Sequence, residues 1–75
     1  MAIENTVFKR LVSAISPVVS VGVGSAICTA CARTGLRVLE LEEKDLAILK
    51  PELIKHYQQF WANKMDDIKA RLAVV

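Results

Sequence analysis

Seventy-five residues carrying a net charge of +2 hold one domain at most, and a chain this short buries only about 60% of the surface it exposes when unfolded. Hydrophobic residues make up 53% of it and charged residues 24%, which excludes a disordered tail because there is ample apolar surface to offset chain entropy. The basic residues are scattered rather than clustered, so the footprint of a nucleic-acid or polybasic membrane surface is missing and nucleic acid is disfavoured as a partner.

The first element is expected from Asn5 to Ile15. Val7, Leu11 and Ile15, flanked by Phe8 and Val12, share one face at helical spacing, while Lys9, Arg10 and Ser13 take the other. Asn5 or Thr6 stands where a side chain caps the first turn.

Leu11 to Ala32 is a stretch without a single charge, and three readings compete for it. Residues 11–32 are long enough to span a membrane, and small residues recur every four positions from Ser16 to Ala32. Against a span stand the Ser, Gly and Thr content, the lack of an aromatic belt and Pro17. Lys9 and Arg10 ahead of an apolar run, with Ala30-Cys31-Ala32 behind it, resemble a secretory leader, which Glu4 opposes. The favoured reading is the core of a soluble domain, either as a helix begun by Ser16 and Pro17 or as a strand in which Val19, Val21 and Val23 alternate with smaller residues.

Arg33-Thr34-Gly35 reads as a break, because glycine takes the left-handed conformation that ends helices and tightens turns. Leu36 to Leu41 then reads as a short strand, and pairing it with Ile27 to Ala32 gives an alternative β-hairpin within 18–41. Glu42 to Leu49 returns to helical spacing with Leu46 and Leu49 on one side. Pro51 is expected to end that short helix, since the residue before a proline is pushed from helical geometry.

A long amphipathic helix is expected from Pro51 to about Ala73, spanning roughly 34 Å. Ile54, Tyr57, Trp61, Met65, Ile68, Leu72 and Val75 form a continuous seam of heptad type, widened by Leu53 and Phe60. Such a seam is longer than a body this small can cover, so a symmetric homodimer built on two such helices is the economical solution. Docking into a larger complex is the other way to cover it, and packing within the chain is the competing use.

Chemistry-bearing residues are few. Cys28 and Cys31 form a lone CxxC, without the strand that precedes a redox-active pair and with only two of the four ligands a zinc site needs. Two copies bringing four thiolates together across a dimer axis would complete such a metal or iron–sulfur site; the competing reading is buried cysteine as a small hydrophobe. His56, the sole histidine, is expected to pair with Glu52 four residues earlier. Gly22 and Gly24 lack the remainder of a phosphate loop. No catalytic chain of nucleophile, base and orienting group is present in the sequence.

These readings converge on a mainly α fold, one small helical domain over residues 1–75, with no cofactor expected. The functional expectation is a non-enzymatic interaction protein or accessory subunit, cytoplasmic with reduced thiols. It would assemble with itself or a larger complex through Ile54, Tyr57, Phe60, Trp61, Met65, Ile68 and Leu72. A membrane-anchored subunit and a dimeric metal binder through Cys28 and Cys31 are the alternatives.

Overall fold

A computed structural model describes residues 4–75. Its elements are four helices joined by turns: α1 (Thr6–Ile15), α2 (Val23–Thr34), α3 (Leu46–Phe60) and α4 (Met65–Leu72). Short 3-10 turns occupy Val38–Glu40, Glu43–Asp45 and Ala62–Lys64, and no strand occurs among the described residues.

Helix α1 starts where Asn5 caps it. The Asn5 side-chain oxygen accepts the Phe8 amide at 3.0 Å, satisfying one of the free donors of the first turn. The other end of the same side chain donates to the Leu41 carbonyl at 3.0 Å, so one residue both starts a helix and pins a loop 36 positions away. Val7, Phe8, Leu11 and Ile15 turn inward, as their spacing predicts.

The uncharged stretch divides. Pro17 follows the end of α1 instead of opening the next helix, and the amides of Val18 and Val19 both return to the Ile15 carbonyl. Gly22, at φ 69°, supplies the left-handed residue from which α2 departs. The alternation of valines is therefore not a strand: Val19 and Val23 are buried on either side of the turn, and Val21 projects from it. Within α2, Val23, Ala26, Ile27, Ala30 and Cys31 are buried, a helical spacing carried mostly by small residues. Residues 11–32 are thus the end of α1, a turn and most of α2, and no helix among the described residues is long and apolar enough to cross a membrane.

The hairpin is likewise replaced by helix. Gly35, at φ 74°, is a helix stop: its amide and that of Leu36 both reach the Cys31 carbonyl, the paired closure that left-handed glycine permits. Leu36 to Leu41 then runs as a loop and 3-10 turn, lying against the core through partly buried Leu36 and Val38 and buried Leu41. Asp45 closes the following turn by accepting the Glu42 amide at 2.9 Å.

The C-terminal half departs most from expectation. Pro51 sits inside α3 without ending it, because Leu46, Leu49, Leu53 and Tyr57 on both sides of the proline bury one shared face. The missing amide leaves only the carbonyl of Ala47 without its helical partner, and Ala47 is exposed, so water can serve it. The break comes ten residues later. Trp61, at φ −137° and ψ 47°, leaves helical geometry, and the turn Ala62–Lys64 redirects the chain into α4. A continuous helix from 51 to 73 would hold its last turns away from the body. Bending brings Met65, Ile68 and Leu72 down to 9%, 0% and 2% exposure, with α4 packed on α1 and α3.

The result is one core fed by all four helices. The Cα radius of gyration is 11.1 Å, close to the ~11 Å of a compact domain of this length. Its accessible surface of 4646 Å² matches the roughly 4600 Å² of a self-contained monomer of this mass.

Candidate interaction surface

The expected seam is split between inside and outside. Tyr57, Met65, Ile68 and Leu72 are buried within the chain, and Ile54 and Trp61 are half-buried against the core. Those buried residues are corrected from exposed interface to interior, because the bend at Trp61 lets one chain cover its own apolar edge. Phe60 alone of the set stays open, at 65% exposure.

Phe60 is the last residue of α3 and has a local setting the seam did not foretell. Beside it lies a groove of about 470 Å³ between the first half of α2 and the end of α3. Gly22, Ser25, Ala26 and Thr29 line it from α2 and its approach, and His56, Tyr57, Phe60 and Trp61 from the other side. Val21, 76% exposed, stands at the same groove. None of these residues is an acid, a lysine or an arginine, although such residues make up 24% of the chain.

His56 belongs to this groove and not to an ion pair. Its ring centroid lies 5.2 Å from that of Phe60, tilted, and 5.4 Å from that of Tyr57, edge to face at 89°, distances at which aromatic rings attract. Glu52 pairs with Lys55 instead, at 3.8 Å. The i,i+4 spacing suggested the histidine as partner, whereas the lysine one turn on claims the carboxylate.

Tyr57 lies beneath, 1% exposed, with its hydroxyl lacking a hydrogen-bond partner among the described residues. Burial pushes its phenol pKa up, because the charged form would have to shed its water.

The two cysteines part company. Cys28 faces outward from α2, and Cys31 faces the core. Burial, then the neighbouring Cys28 and Asp45, push the Cys31 thiol up, away from the thiolate that binds metals or attacks disulfides. Among the described residues no three His, Cys, Asp or Glu side chains cluster as a metal site.

Sequence reading found Phe60 and Trp61 by their size but missed Val21 and the role of His56. Val21 was hidden by its alternation with Val19 and Val23; the signal was Gly22 beside it, marking a turn whose preceding residue points out. No family model, curated protein or solved structure matches the chain.

Proposed function

We propose that this chain is a small non-enzymatic interaction protein or accessory subunit, working in the cytoplasm, whose contact surface is the aromatic edge of the α2–α3 groove. One observation carries the reading: of the aromatic residues Phe8, Tyr57, Phe60 and Trp61, Phe60 alone is exposed among the described residues, at 65%, and it stands at an uncharged groove with Val21 beside it. Fully burying such a side chain is worth about 1.5–3 kcal/mol, a gain the folded chain leaves unused and a partner can collect. Aromatic anchors flanked by apolar contacts dominate interface energetics. Phe60 is the anchor, Trp61 and His56 shape the wall against which it rests, and Val21 contributes from the facing turn.

The partner is a second copy or a member of a larger complex. Either one meets the residues left outside the core, since Tyr57, Met65, Ile68 and Leu72 are already committed within it. A photo-crosslinking amino acid placed at position 60, compared with one at exposed position 47 on the same helix, tests this in cells. Position 60 is expected to give a discrete adduct whose mass identifies a second copy or another protein. Equal, diffuse labelling from both positions would remove the proposal.

A further inference from the structure

We propose that Cys28 and Cys31 form a redox-sensitive latch: the two thiols lie one turn apart in the middle of α2, and they close into a disulfide only when that turn unwinds and Cys31 leaves the core. They are the sixth and ninth of the twelve residues of α2. Residues three apart on an intact helix hold their Cβ atoms about 5–6 Å from one another, whereas a disulfide needs about 3.5–4.5 Å. Side-chain rotation moves the sulfur and leaves Cβ in place, so the backbone has to move.

What the backbone would give up is visible around Cys31. Its carbonyl accepts the amides of Gly35 and Leu36, which close the end of the helix, and the Thr34 hydroxyl at 3.2 Å. Its side chain is 3% exposed and belongs to the core through which α2 packs on α3. Drawing Cys31 toward Cys28 therefore loosens both the helix stop and the packing. Cys28, by contrast, is exposed, and an oxidant meets it first.

A low-molecular-weight disulfide such as oxidised glutathione supplies the chemistry. The Cys28 thiolate attacks one of its sulfurs and releases one glutathione thiolate. The Cys31 thiolate then attacks the Cys28 sulfur of the mixed disulfide and releases the second. Each cysteine gives up one proton, and the pair gives up two electrons, which leave as two molecules of reduced glutathione. The second step waits on opening, because the Cys31 thiol is held neutral by burial and by its neighbours Cys28 and Asp45. Folding and oxidation thus oppose each other: the intact fold keeps the pair reduced, and the oxidised pair loosens α2.

The test equilibrates the purified chain with mixtures of reduced and oxidised glutathione, folded and in urea, traps free thiols by alkylation and counts them by mass. The folded chain is expected to reach half-oxidation at a glutathione mixture about tenfold or more further toward oxidising than the unfolded chain, because distorted disulfides are the more readily reduced. Chain oxidised in urea and returned to buffer is expected to show less helix by far-UV circular dichroism and a lower Tm than reduced chain treated alike. Cys31→Ser keeps only exposed Cys28, which forms a glutathione adduct, told apart by its mass, but no internal disulfide. Its midpoint should be the same folded and in urea, and the adduct should leave helix content and Tm as they are in the reduced variant. Equal midpoints in the folded and unfolded chain, or an oxidised chain that regains the helix content and Tm of the reduced one, would overturn the proposal.

Discussion

Tyr57 brings two opposing contributions to one position. Its ring, 1% exposed, adds apolar area to the core, while its hydroxyl has no partner among the described residues. A buried polar group without a partner costs about 1–3 kcal/mol. Tyr57→Phe keeps the ring and removes the hydroxyl, so urea unfolding should show stability unchanged or raised by about 1 kcal/mol; a loss larger than that would reveal a hydrogen bond at this oxygen. The same residue sets an alkaline response. Burial raises the pKa of the Tyr57 phenol and the Cys31 thiol, so at high pH the folded chain holds protons that the unfolded chain has released. Their contribution to stability is whole below the ordinary thiol range and declines as pH rises through it and then through the phenol range. Tyr57→Phe should flatten the later part of that decline and leave the earlier part.

At the scale of elements, the starts and stops of helices have local causes, and their interruptions do not. Asn5, one of two caps the residues offered with Thr6, gives α1 its first turn, and Gly35, legible as a break, gives α2 its last. Proline misled, because its cost depends on what surrounds it. Pro51 lies in α3 with buried leucines on both sides, and their packing outweighs one absent hydrogen bond. Pro51→Ala restores an amide donor toward the Ala47 carbonyl and a better helix former, offset by the larger entropy of the unfolded chain. A gain of about 1–2 kcal/mol is expected in urea unfolding; a destabilised variant would show that the proline shapes a bend that the core requires. Trp61 interrupts the chain with neither proline nor glycine at hand, and the reason lies in the surface that α4 finds on α1 and α3.

Over the whole molecule, apolar burial carries stability and surface charge contributes little. The five ion pairs among the described residues each include a side chain at least 58% exposed, and pairs of this kind are worth roughly 0–1 kcal/mol and are screened by salt. The Tm should therefore change little as sodium chloride rises to about 1 M, where the screening length is only about 3 Å. Ile68→Ala, at a side chain 0% exposed on α4, should cost about 2–5 kcal/mol. A mild effect there would mean that α4 does not hold down the core as its burial implies, and that the seam is free for another partner after all.

Residues alone left a hairpin within 18–41 open but gave a mainly helical chain, a cap at Asn5 or Thr6, a break at Gly35 and the size of Phe60 and Trp61. These are set within a turn or two of the residues concerned, where spacing and backbone preference suffice. Tertiary structure alone decided that Pro51 is tolerated, that the chain bends at Trp61 and that the small residues of α2 form a buried helix. In each case the deciding energy is burial against a distant segment, and the same folding that hides Tyr57, Met65, Ile68 and Leu72 leaves Phe60 facing water beside an uncharged groove.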